Sequence, residues 1–415
     1  MIQKILSLFF HNEILRKSSV SLFIRVFGSI MGYIFLVLVT RNIGASSWGV
    51  FILFLSILNI FSIFSRLGVD MLALKLVSSA NYMLDKIKTI YFSSFRIVLV
   101  SSCVVSIIVY TFSKQISLTL LGDIKFDIIV RLMSFVLPLF SIICINERVL
   151  QGLKMIKEFT FFQSASKMLF SSLFFLLFYY YLDIPEFYVV VLSYLAALFL
   201  IFIISSFKVY KIIKEGNFLI SLKVKDIFSQ SLPMMISSSV LLLMSWVDSL
   251  MIGGFSSEYD VGLYSVAVKV SFLTSFTLYA VNSISAPKIS ESFNNNNKSL
   301  FKNIIYQTTR TIFYSTMPIV IIIFIFPELL LGFFGLEFVA AKKTLLILAF
   351  SQVINAMSGA NGSVLNMTGK EKVFRNILSI ALVINITLNL LLIPSYGIEG
   401  AALATAISII IYNLV

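Results

Sequence analysis

Seven charged residues lie in or at the edge of long apolar runs: Arg25, Arg66, Asp70, Arg96, Lys167, Asp248 and Lys269. A charge at the centre of a bilayer costs about 2.5–3.5 kcal/mol on insertion scales, so it usually faces a hydrated cavity or a partner. Basic groups in such places suit an anion. Arginine offers phosphate a bidentate fork, and lysine offers a point charge. The competing reading is structural: the long stem snorkels to the nearest interface, or the charge is paired internally.

Depth separates the cases. At 1.5 Å per residue, Arg25 lies roughly 10 Å inside its run and Lys269 roughly 12 Å inside its own. Both favour a cavity. For Lys167 the two readings balance. Arg66 and Arg96 stand near the ends of their runs and favour snorkelling. Asp70 follows Arg66 by four residues, the spacing of a structural helical pair. Asp248, in LLLMSWVDSLMIGG, reads as the one acid well inside an apolar run. An antiparallel neighbour would bring it to Lys269. An ion pair is slightly ahead there, and a cation site coupling transport to an ion gradient remains open.

Other chemistry has little support. His11 is the single histidine, and Cys103 and Cys144 both sit in apolar runs, which argues against a metal site or disulfide framework. The stretch GSVLNMTGKE at 362–371 has the wrong glycine spacing for a phosphate loop, and Glu371 stands where Ser or Thr is needed. No cofactor is expected, and the chain does not read as an enzyme.

The elements that carry these charges must be membrane helices. The chain has 415 residues, of which 59% are hydrophobic, and its mean hydropathy is +1.00. Only 12% of residues are charged, about half the usual share of a soluble domain. The net charge of +13 is spread over short loops rather than gathered in a patch, which argues against nucleic acid. The expected fold is an all-α polytopic membrane protein with about twelve spans. They fall near 19–40, 48–68, 93–113, 129–147, 160–182, 187–207, 231–253, 261–283, 311–331, 343–361, 374–394 and 398–415. Before them, IQKILSLFFHNEILRK reads either as an interfacial helix or as a plain lead-in, and not as a cleavable signal. With the N-terminus in the cytosol, 21 Lys and Arg fall in cytosolic segments and 6 in outer loops. That asymmetry predicts cytosolic termini.

A repeat divides the chain. RNIGASSWGVF at 41–51 has a blurred copy, IGGFSSEYDVGLY, at 252–264. An offset of 213 maps Gly49 to Gly262 and Leu121-Gly122 to Phe334-Gly335, and an offset of 215 maps Val149-Leu150 to Val364-Leu365. Six spans per half make the repeat parallel, about an axis along the membrane normal. The expected lobes are 1–207 and 231–415, joined by a basic linker at 208–230. The tract NNNN at 294–297 reads as flexible. Pro138, Pro233, Pro318 and Pro327 either kink helices or mark their ends.

With these features in hand, the chain resembles the multidrug/oligosaccharidyl-lipid/polysaccharide exporter superfamily. Within it, the likeness is to Wzx-type flippases for lipid-linked O-antigen or capsule repeat units. It rests on the outer turn at 41–51, SRLGVD closing helix 2, LQGLKMIKEF and LNMTGKEKVF before helices 5 and 11, and IPSYGIEGAALAT entering helix 12. These motifs are degenerate and indicate the superfamily better than the substrate. Peptidoglycan-precursor flippases have fourteen helices where this chain shows twelve. The resemblance implies a MATE-like fold and transfer of undecaprenyl-diphosphate-linked oligosaccharide to the periplasmic leaflet of a bacterial inner membrane. It implies a central cavity lined by basic residues on helices 1, 2 and 8, the positions of Arg25, Arg66 and Lys269. Partners would be the lipid-linked glycan, membrane lipid and other polysaccharide-assembly membrane proteins. A multidrug or cation exporter of the same fold is the alternative, although bases outnumber acids inside the spans.

Overall fold

The computed structural model describes residues 13–80, 82–183, 185–219 and 224–414. The interfacial reading of 2–17 falls largely outside them. Every regular element among the described residues is helical. The principal helices are α1 (Glu13–Arg66), α2 (Val69–Ser79), α3 (Leu84–Thr111), α4 (Asp127–Gly152), α5 (Ser166–Tyr181) and α6 (Glu186–Ile213). They continue as α7 (Val224–Phe255), α8 (Glu258–Ser271), α9 (Ser275–Asn294), α10 (Lys298–Ile325), α11 (Lys342–Ser358) and α12 (Glu371–Leu414). In hydrocarbon a helix satisfies its own backbone polar groups, which is why unbroken apolar runs take this form.

Among the described residues, nine helical segments are long and apolar enough to cross a membrane. Two of them are doubles. Helix α1 breaks at Gly44 (φ 78°, ψ −176°) and α12 breaks at Gly397 (φ 54°, ψ −132°). With each arm taken singly and the 17-residue α11 added, every expected pass is occupied by helix. The boundaries differ in several places. Helix α4 continues beyond 147 to Gly152, because ERVLQG extends it more than a turn past the apolar run. Helices α6 and α7 invade the stretch expected as linker, leaving only 214–223 between them. The Asn tract is a capped turn rather than a loose loop. Asn296 takes φ 53°, and the Asn297 side chain accepts the Leu300 N–H at 3.1 Å, starting α10. Pro138, Pro233 and Pro318 lie inside helices, and Pro327 opens a short one.

The chain forms two compact units. Unit one holds the chain up to Ile43, Ile57–Ser117 and Ile124–Ser239. Unit two holds Gly44–Ser56, Leu118–Asp123 and Val240–Val415. Inside unit one, the first arm of α1 packs on the helix that leads into α5. Ser21 Oγ and Thr160 Oγ1 are 3.0 Å apart, a Cβ on Gly28 would come within 2.5 Å of the Ser164 carbonyl oxygen, and Phe35 meets Phe175 edge to face. Inside unit two, the paired glycines of the repeat touch each other's turns. A Cβ on Gly49 would overlap the Glu258 carbonyl oxygen, and one on Gly262 would overlap that of Ala45. The opening motif and its copy thus pack backbone to backbone, which only glycine permits.

The backbone repeats as the sequence does. Left-handed residues recur in register at Tyr82 and Asn296, Gly122 and Gly335, and Lys154 and Gly369. Around the last pair the same helix-ending bond closes both turns: Met155 N–H to Leu150 O at 3.0 Å, and Lys370 N–H to Leu365 O at 2.9 Å.

Candidate functional site

Unit two builds a buried polar centre around Asp248. Helix α7 supplies the carboxylate, which is 7% exposed. Tyr264 of α8 donates to its Oδ2 at 2.8 Å, and Thr405 of the second arm of α12 donates to the same oxygen at 2.5 Å. Asn389, on the first arm of α12, donates from Nδ2 to Oδ1 at 2.6 Å, and Asn385 Oδ1 stands 3.2 Å from the same nitrogen. The break at Gly397 makes this possible by turning the second arm back along the first, so that residues sixteen apart both reach Asp248. Among the described residues the donors to Asp248 are therefore neutral hydroxyl and amide groups, where the antiparallel geometry had suggested Lys269. The Asn389 Oδ1 oxygen is buried without a hydrogen-bond partner. A carboxylate ringed by hydroxyl and amide oxygens can hold a proton or a hard cation.

Lys269 lies elsewhere in unit two. Its Nζ sits 4.8 Å from the centre of the Trp48 ring, a cation–π placement. Trp48 is buried and held in turn by donating Nε1–H to Ser265 Oγ at 2.8 Å.

Unit one contains a second buried centre of four charges. Arg66 pairs with Asp70 at 2.9 Å, one turn apart, as the spacing predicts. Their side chains are only 14% and 6% exposed, so a buried pair replaces the favoured snorkelling of Arg66. Lys167 pairs with Glu147 at 2.9 Å and lies over the Phe140 ring at 5.3 Å. Glu147 also acts electrostatically on Arg66, which links the two pairs. Glu147 corrects the reading of Asp248 as the lone embedded acid. It appears terminal in the sequence because the apolar run stops there, but α4 carries it inside. Beside it Asn146, fully buried, accepts from Tyr91 Oη at 3.0 Å and donates to Ser205 and Ser206 at 3.0 and 3.1 Å. Nothing in its local sequence marks it.

Arg25 contrasts with the buried quartet. Helical geometry sets it at one edge of the packing stripe of Ser21, Gly28 and Phe35. Its side chain is exposed, as are Leu22 and Val26 beside it. Among the described residues it has no acidic partner. Arg96 is exposed on α3.

A family model described as polysaccharide biosynthesis protein matches residues 14–293. The chain belongs to that family. A second model, MatE, matches residues 233–391. The chain is 27% identical over 399 residues to a protein of Haloferax volcanii described as a probable low-salt glycan biosynthesis flippase, Agl15, covering 95% of this chain and 81% of that one. It is 25% identical over 187 residues to the Staphylococcus aureus capsular polysaccharide biosynthesis protein CapF, covering 45% of this chain and 47% of that one. Among solved structures, the lipid II flippase MurJ in an inward closed conformation superposes with a TM-score of 0.76 at 15% identity, covering 96% of this chain and 86% of that one. An inward-facing multidrug resistance MATE family transporter gives a TM-score of 0.72 at 12% identity, covering 95% of both chains. These likenesses show that the chain has the MATE-like membrane fold.

Proposed function

We propose that the transporter flips a lipid-linked oligosaccharide across the membrane by alternating access. The expected cargo is undecaprenyl diphosphate carrying an O-antigen or capsule repeat unit, moved from the cytosolic to the periplasmic leaflet of a bacterial inner membrane. The repeat halves, 1–207 and 231–415, are the functional lobes of this reading, and both termini are cytosolic. One observation carries it: Arg25, an exposed guanidinium inside an apolar helix, with no acidic partner among the described residues. Such a group suits a diphosphate head passing through a hydrated path. Lys269, held over Trp48, is the second cation proposed to meet the diphosphate head. Lys167 and Arg66 are internally neutralised and serve as its structural support. Similarity over 95% of this chain to a probable glycan biosynthesis flippase supports the cargo class. Asp248 is proposed as the coupling site for a proton or cation, supported by its oxygen-rich surroundings and the unmet Asn389 oxygen.

Deletion in the native host tests the reading. Lipid-linked repeat units should accumulate on the cytosolic side while long-chain surface glycan disappears, and the intact gene should reverse both. Normal surface glycan with raised sensitivity to cationic drugs would instead select the multidrug exporter alternative.

A further inference from the structure

Unit one carries a cavity that none of this uses. It measures about 420 Å³ and is lined by Lys88, Phe92, Ser93, Phe95 and Arg96 of α3 together with Phe218. The wall bearing Phe218 is the segment that leaves α6, and α3 straps it down at several points. Asp85 Oδ1 accepts the Asn217 N–H at 2.5 Å, and Thr89 Oγ1 accepts the Leu219 N–H at 3.0 Å. Lys88 Nζ donates to the Gly216 carbonyl at 2.7 Å and approaches that of Lys214 at 3.4 Å. A Cβ on Gly216 would stand 2.8 Å from the Leu84 carbonyl oxygen, so the strap needs glycine there. The Phe218 ring then meets Phe92 edge to face at 6.4 Å.

Three polar features converge on this pocket. Ser93 is 8% exposed, and its Oγ is buried with no hydrogen-bond partner. Arg96, one turn on, is exposed and has no acidic partner among the described residues. Lys88 spends at most two of its three ammonium donors on the strap. Of the nearby acids, Asp85 is engaged by the strap and Glu215 is exposed, and neither lines the cavity. The remaining walls are phenylalanine. Two cations and a free hydroxyl beside three aromatic rings call for an anion with an apolar body. Basic pockets at the ends of membrane helices hold lipid phosphates in this way.

We infer that this cavity binds the phosphate of an anionic membrane lipid through Arg96, Lys88 and Ser93, with the lipid chain against Phe92, Phe95 and Phe218. The same chemistry is offered by a glycerophospholipid and by a polyprenyl phosphate. The inference does not depend on what the transporter carries.

Native mass spectrometry of the full chain released from detergent tests it, with phosphatidylglycerol and phosphatidylcholine of matched chains as probes. The wild type should retain one phosphatidylglycerol at least tenfold more than phosphatidylcholine. Arg96→Gln removes the exposed cation without touching the strap, and Ser93→Leu fills the pocket. Each should lower phosphatidylglycerol retention to the phosphatidylcholine level. Displacement by equimolar polyprenyl phosphate assigns the site to a carrier lipid, and its failure assigns it to bulk phospholipid. Equal retention of both phospholipids by the wild type, or undiminished phosphatidylglycerol retention in Arg96→Gln, overturns the inference.

Discussion

Charged side chains inside this molecule divide by whether the protein itself neutralises them. Glu147 and Lys167 neutralise each other, with side chains 8% and 15% exposed. Glu147→Gln would leave a buried ammonium without its counterion, a loss of about 3–5 kcal/mol for a pair of this kind. Thermal unfolding in detergent should show it, and Glu147→Gln combined with Lys167→Met should recover most of the loss. Arg25 behaves oppositely. Arg25→Gln should leave folding unchanged and reduce surface-glycan display at least tenfold, measured against the amount of protein in the membrane. Asp248→Asn should keep the protein folded while removing the dependence of transport on pH or sodium. A variant that transports with wild-type ion dependence would reduce Asp248 to a structural hydrogen-bond acceptor. How much of these sites can be read from sequence follows chain separation. Arg66 and Asp70 are one turn apart, so their pairing is legible. The partners of Asp248 lie 16, 141 and 157 residues away, and bringing Thr405 beside Asn389 depends on a reversal at Gly397 that no local pattern announces.

Helices and turns show two distinct uses of glycine. Gly262 is needed for space, since a Cβ there would overlap the Ala45 carbonyl oxygen. Gly369 is needed for conformation, since it takes φ +75° with nothing within 4 Å of an added Cβ. Gly369→Ala should therefore cost only the left-handed penalty, about 1–2 kcal/mol. Gly262→Ala must also push two turns apart, and its thermal midpoint should fall further than that of Gly369→Ala. Equal midpoints would mean that the turns separate freely. The paired turns were visible in sequence as a repeat, but their contact was not. A repeat offset gives correspondence between positions and carries no information about which copies touch.

Across the whole molecule, large apolar side chains stand exposed along the helices, as suits a multi-pass membrane protein. Orientation is open to direct test, because both native cysteines lie within helices α3 and α4. In intact cells Ser299→Cys should resist a membrane-impermeant maleimide, and Asp183→Cys should react. The reverse pattern would invert the topology. The twelve-pass architecture was legible because each pass is a local apolar run. The two compact units were less so, since unit two recruits Gly44–Ser56 and Leu118–Asp123 from the first half of the chain.

That recruitment bears on how the protein is made. Gly49 finds its packing surface only when Glu258 and Gly262 have been synthesised, some two hundred residues later. At about 5–20 residues per second, the delay is roughly 10–40 s. Through that interval Trp48 lacks Ser265, the residue that accepts its indole N–H. The emerging first half is therefore a nascent intermediate with an unfinished face, and a ribosome that stalls before residue 258 should leave a substrate for membrane proteases.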